Sequence, residues 1–197
     1  FTHIYGMVNG IQGLLEDHFM DLGTTFNSEE KIDALKHSPA MYLGSCRYKL
    51  PTVSDDKDTY DLLFKKFNDL EITDFFYIGG NDSMDTVAKL AAYGETINSP
   101  IHFIGIPKTI DNDLMGTDHT PGFGSAAKYV ASSMLEIAYD SSIYKLDAIT
   151  IVEIMGRNAG WLTAASALAR TECNDAPDLI YLPEVVFDKE RFLKDIE

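Results

Sequence analysis

The stretch "PKTIDNDLMGTDHTPGFGS", Pro107 to Ser125, gathers a lysine and several carboxylates where a strand-to-helix connection needs only a Gly and a Pro. Asp111 and Asp113 lie two apart, and on extended backbone they would point the same way. A carboxylate pair beside Lys108 suits phosphoryl transfer. One acid accepts the proton of an attacking hydroxyl, the other helps to hold Mg²⁺ or orients the first, and the lysine neutralises phosphate charge. A Lys–phosphate contact at ~4 Å contributes about 4 kcal/mol at an effective dielectric of about 20. A solvated acidic turn would use the same residue types, because Asp also stabilises turns.

Two further segments carry phosphate-directed chemistry. In "YIGGNDSMD" the glycines Gly79 and Gly80 follow an apolar run, and a helix is expected from Ser83. Glycine lets backbone approach a ligand, and a helix start offers free N–H groups to an anion. Capping of that helix by Asn81, Asp82 or Ser83 is the competing use of the same residues. In "EIMGRNAGW", Met155, Gly156 and Arg157 stand between an apolar run and a helix. Arg is the fork-shaped donor for phosphate, and at a helix start it is mildly unfavourable without an anion.

These segments must be held by regular elements. "TYDLLFKKFNDLEI" (59–72) reads as an amphipathic helix with Leu62, Leu63, Phe67 and Leu70 on one face. Strands are expected at 74–80, 101–106, 147–154 and 177–185, and helices at 83–97, 122–142 and 158–170. The long helix places Ala127, Val130, Met134 and Ile137 at helical spacing. The first fifty residues read as irregular, ending in a turn, "MYLGSCRYKLP", with Arg47 and Lys49 at its tip. Alternating apolar strands and helices imply an α/β fold, with parallel sheets flanked by helices on both faces. In such sheets ligands bind beyond the carboxyl ends of the strands, here after Ile78, Ile106 and Ile154.

A chain of 197 residues with 45% hydrophobic content can build one domain and part of a second. The formal net charge of −15 argues against generic binding to nucleic acid or to an anionic membrane. No apolar run approaches the ~20 residues of a membrane span. Cys46 and Cys173 form no CxxC pair and read as thiols of a reducing cytosol, so a cytoplasmic location is expected. The histidines show no zinc spacing. The chain opens with Phe1 and stops at "DKERFLKDIE", an unfinished helix, so a piece of a longer polypeptide is expected.

"GGNDSMDTV", "PKTIDND" and "IVEIMGRNAGWLTAASALA", in this order and spacing, resemble the phosphofructokinase family, and "LGSCRYKL" and "YLPEVVF" fit as well. The resemblance runs over essentially the whole chain and covers roughly the middle half of such an enzyme. It implies Rossmann-like lobes, with 1–124 in the larger, donor-binding lobe and 125–197 in the smaller, sugar-phosphate lobe. It also implies Mg²⁺-dependent transfer of a phosphoryl group to the 1-hydroxyl of fructose 6-phosphate, by an enzyme that is a homodimer or homotetramer at full length. On that pattern Asp111 is the general base, Lys108 serves the donor, and Asp113 supports the base and the metal. Thr109, Met155, Gly156 and Arg157 bind the sugar phosphate. Arg47, Gly79, Gly80, Asp82 and Ser83 line the donor site.

Two positions bear on the donor. ATP-dependent bacterial relatives carry "GGDGS" and "PGTIDND", where this chain has Asp82 and Lys108. Pyrophosphate-dependent members carry Asp and Lys there. Asp82 puts bulk and charge where an ATP α-phosphate would lie against a glycine, and Lys108 supplies a cation to a donor with no adenosine to anchor it. The resemblance therefore implies pyrophosphate, with ATP as the alternative donor. Asn81 departs from the family's metal-associated Asp, and a neutral amide is a poorer Mg²⁺ ligand. Ala148 departs from an Arg that reaches a neighbouring subunit. Kinases of NAD or lipids share a "GGDG"-type loop but not "MGRNAGW", and a catalytically silent piece is the remaining alternative.

Overall fold

The computed structural model describes residues 2–145 and 148–197. The chain divides into two compact units, one ending at Pro107 and one beginning at Lys108. The expected lobe boundary at 124/125 falls inside the second unit.

The first unit opens with more order than the sequence suggested. Strand β1 (Tyr5–Met7) pairs antiparallel with β2 (Phe19–Asp21), and α1 (Gly10–Leu15) connects them. Two short helices follow, α2 (Leu22–Thr25) and α3 (Glu29–Lys36). Asp21 caps α2 through the Thr24 N–H, and Ser28 caps α3 through the Lys31 N–H.

Helix α4 (Lys57–Asp69) starts where Asp56 accepts both the N–H and the hydroxyl of Thr59, at 3.1 and 2.7 Å. Its buried stripe is Tyr60, Leu63, Phe64 and Phe67, spaced i, i+3, i+4, i+7. Leu62, expected on that face, is exposed, because the aromatic rings of Tyr60 and Phe64 fill the core instead.

Strand β3 (Asp74–Gly79), helix α5 (Asn81–Thr96) and strand β4 (His102–Pro107) form a βαβ unit. The strands are parallel, in register from Asp74↔His102 to Gly79↔Pro107. Helices cover one face of the pair. Phe75 and Phe103 pack with Phe64 and Phe67 of α4, their ring centroids 5.3–5.9 Å apart. Leu90 and Tyr93 of α5 join the same core. Gly105 lets α5 close on the sheet, since a Cβ there would stand 2.8 Å from Met84 Sδ. The opposite face presents Phe76, Ile78, Ile104 and Ile106, which are 52%, 65%, 40% and 41% exposed. Both faces are apolar, as befits parallel strands, but the described residues cover only one.

In the second unit, α6 (Phe123–Ser142) packs on α7 (Trp161–Ala165) and on the 3₁₀ turn Ser166–Ala169. Ala127, Leu162 and Ala165 form the small core, with Ile110, Phe123 and Ile154 against it. Helix α8 (Lys189–Asp195) is capped by Asp188. The helix expected over 158–170 is thus a single α turn run into a 3₁₀ turn.

The strands expected at 147–154 and 177–185 do not form. Asp147 lies outside the described residues, and 148–154 and 177–185 enter no ladder. Their apolar composition suits burial in a sheet, yet no described neighbour supplies the ladder bonds. Ile149 and Ile151 stand 64% and 74% exposed as a result.

Candidate active site

Gly79 and Pro107 end their strands side by side, so the loops after β3 and β4 leave from one edge of the sheet. After β3 the chain turns at once into α5. The helix begins at Asn81, two residues earlier than expected, because Gly80 on extended backbone is the N-cap. No side chain caps it. The N–H groups of Ser83 and Met84 both turn back to the Gly80 carbonyl at 3.0 Å. Asn81, Asp82 and Ser83 therefore do not serve as caps, and the partial positive charge at this helix start has no side-chain cap. Gly79 is required by contact, since a Cβ there would collide with Ser83 Oγ. Asn81 and Asp82 are exposed and Ser83 is half-buried.

Arg47 belongs to the same unit. Its segment turns at Gly44, whose φ of +71° favours glycine, and whose N–H bonds the Met41 carbonyl at 3.0 Å. Asn9 ties the turn down through the Ser45 carbonyl, at 2.9 Å. Leu50 then anchors the chain in the core, and Arg47 is left exposed. Tyr77, a half-buried residue of β3, points its hydroxyl at the Ile11 N–H, 3.5 Å away. Burial raises its phenol above the ordinary range.

In the second unit the acidic loop is closed by its own side chains. The Asp111 N–H donates to Thr109 Oγ1 at 3.1 Å. The Thr120 hydroxyl donates to the Thr109 carbonyl at 2.7 Å. Asn112 is buried, accepts the Thr120 N–H at 2.9 Å and donates to the Asp118 carbonyl at 3.2 Å. Asn112 also adopts φ +58°, in the left-handed region. The extended geometry expected for Asp111 and Asp113 is therefore absent, and the two acids do not share one environment. Asp111 is half-buried, with an enclosed Oδ1 that makes no hydrogen bond among the described residues, whereas Asp113 is exposed. Asp113 lines a cleft of about 470 Å³ together with Asn112, Met115, Asp118 and Trp161.

The third loop turns on Gly156 at φ +135°, where a Cβ would collide with the Ala159 carbonyl oxygen. That turn leaves Met155 and Arg157 exposed. Glu184 accepts the Gly160 N–H at 2.7 Å and so holds the start of α7 behind the loop. The expected strand ending at Ile154 is not part of the sheet, so this loop is positioned by the α6–α7 core instead.

None of Arg47, Lys108 and Arg157 forms an ion pair among the described residues. Asn112, Thr120, Trp161 and Glu184 were not marked by the sequence. The signals were faint: an Asn flanked by acids, a residue type that tolerates left-handed backbone, and a Glu after a Pro. Among the described residues no three His, Cys, Asp or Glu side chains gather into a metal cage, and no helix is long and apolar enough to cross a membrane. Both cysteines are free thiols.

A βαβ unit whose helix opens on a glycine without a side-chain cap is a build that α/β phosphate-binding proteins use. Within that class the chain belongs to the phosphofructokinase family, whose profile, described as Phosphofructokinase, matches residues 2–197. It is 43% identical over 196 residues to a pyrophosphate--fructose 6-phosphate 1-phosphotransferase of Methylococcus capsulatus, covering 98% of this chain and 46% of that one. It is 45% identical over 187 residues to the protein of that name from Xanthomonas campestris, covering 94% and 44%. The crystal structure of a pyrophosphate-dependent phosphofructokinase from Marinobacter aquaeolei superposes with a TM-score of 0.81 at 42% identity, over 98% of this chain and 47% of that one. The chain thus spans about half the length of the relatives it matches.

Proposed function

We propose that this chain carries the reaction centre of a phosphotransferase that moves a phosphoryl group from pyrophosphate to the 1-hydroxyl of fructose 6-phosphate, a step of glycolysis. The observation that carries the reading is Asp111: a carboxylate oxygen, enclosed and without a hydrogen bond among the described residues, in a loop locked on either side of it. Such an oxygen is poised to accept a proton.

In this reading Asp111 takes the proton of the sugar 1-hydroxyl as its oxygen attacks the terminal phosphorus. The bridging P–O bond breaks and inorganic phosphate leaves. Lys108 and Arg47 bind the donor, and the loop of Gly79, Gly80, Asp82 and Ser83 presents backbone to it. Thr109, Met155, Gly156 and Arg157 bind the sugar phosphate. Asp113 would hold Mg²⁺ together with phosphate oxygens, with Asn81 as a weaker neutral ligand. An exposed Asp113 on the cleft wall suits Mg²⁺, which takes one or two carboxylates and leaves its other positions to phosphate and water. When bound, Mg²⁺ neutralises charge on the donor oxygens. The full-length protein is read as a cytoplasmic homo-oligomer, a dimer or a tetramer.

The test is a rate measurement on the full-length protein, with pyrophosphate and ATP side by side. Turnover with pyrophosphate alone is expected. The change Asp82→Gly with Lys108→Gly is expected to admit ATP, because it removes charge and bulk beside the α-phosphate. ATP turnover in the unaltered protein, or continued exclusion of ATP by the double variant, overturns the donor assignment.

A further inference from the structure

We propose that Asn112 is a positioning residue that sets the directions of the Asp111 and Asp113 carboxylates. The proposal rests on the reading of those two acids as the reaction centre, and it assigns to the residue between them a role that neither spacing nor charge suggests.

Three observations converge on it. Asn112 is 8% exposed, although amides mostly stay in water. Its backbone is left-handed at φ +58°, a region that a non-glycine side chain enters at a cost. Its amide uses both ends: Oδ1 accepts the Thr120 N–H and Nδ2 donates to the Asp118 carbonyl. These bonds close a circuit. Thr109 Oγ1 accepts from the Asp111 N–H, Asn112 accepts from Thr120, and the Thr120 hydroxyl returns to the Thr109 carbonyl. The left-handed step turns the chain between the two acids, so one carboxylate is half-buried and the other faces the cleft. Extended backbone would send both the same way.

The chemistry restricts what can stand here. Asp has the same shape but cannot donate to the Asp118 carbonyl. Gly enters the left-handed region freely but carries no amide. Ala lacks both properties. The substitutions therefore separate the backbone turn from the hydrogen-bonded circuit.

The experiment uses the full-length protein with Asn112→Gly, Asn112→Asp and Asn98→Gly. Asn98 also has positive φ, 51°, but is exposed and lies outside the site, so its variant controls for relaxing a strained turn. For N112G, kcat is expected to fall on the order of 10²-fold, as for a misplacement of about 1 Å, with KM for sugar and donor within about threefold of wild type. N98G is expected to match wild type. A wild-type kcat in N112G, or a raised KM at unchanged kcat, overturns the proposal. Should N112G fail to fold, N112D, which keeps the acceptor, is read by the same kcat and KM criteria. If the unaltered protein turns over neither donor, the functional reading falls instead. Crystal structures of wild type and N112G then decide, because unchanged carboxylate directions overturn the proposal without any turnover.

Discussion

At the scale of single residues, Asp111 bears the most weight. An enclosed carboxylate oxygen without a partner costs about 1–3 kcal/mol or more, and this loop keeps one that has none among the described residues. Replacing Asp111 by Ala is expected to lower kcat by about 10²–10⁴-fold and to leave the KM for fructose 6-phosphate near wild type, read from initial rates. A near-wild-type rate would remove Asp111 from the chemistry. The residues proposed for this site were picked out by their types and spacing alone. A lysine and paired acids in one connection point to phosphate chemistry, although an acidic turn draws on the same types. The left-handed step at Asn112 was not legible, because the spacing argument assumed extended backbone and a single reversed residue leaves no period to detect. The tying of Thr109 to Thr120 joins residues eleven apart in a loop, where pattern has no hold.

At the scale of elements, helices read more truly than strands. Helix α4 was visible by its apolar period, though not its start at the Asp56 cap nor the exposure of Leu62, and the strand-helix-strand run from Asp74 to Pro107 was visible as alternating apolar runs and glycines. The segments 148–154 and 177–185 carry the same apolar signal and form no strand. Apolar content says that a segment suits burial, but ladder bonds come from a neighbour that local sequence does not name. The aromatic layer between α4 and the sheet should dominate the stability of the first unit. Phe67 is 1% exposed and its ring contacts Phe64, Phe75 and Phe103. Phe67→Ala is expected to destabilise by about 3–5 kcal/mol, measured by urea unfolding. A loss below about 1 kcal/mol would mean that the layer repacks around the gap.

At the scale of the whole molecule, charge sets the response to acid. Several carboxylates are held below the ordinary range by their partners: Asp21 by His3, Asp56 by Thr59, Asp61 by Lys57, and Asp74 by Thr73. Their depressed folded values mean that the unfolded chain binds protons first as pH falls. The stability they contribute is therefore present above about pH 4, the unfolded value, and is lost as pH drops through the folded values. Thermal unfolding followed from pH 6 to pH 3 should show Tm falling toward the acid end, and a flat profile would contradict these pairings. The apolar face of Phe76, Ile78, Ile104 and Ile106 belongs to this scale too, since a patch of that kind needs a cover in water. The cleft beside Asp113 holds one more feature. Trp161, which lines it half-exposed, is the only tryptophan in this sequence. The cleft of this unit thus carries its own optical label, since the colour of one indole's emission follows the polarity around it, and whatever displaces water from that wall changes the light the chain gives off.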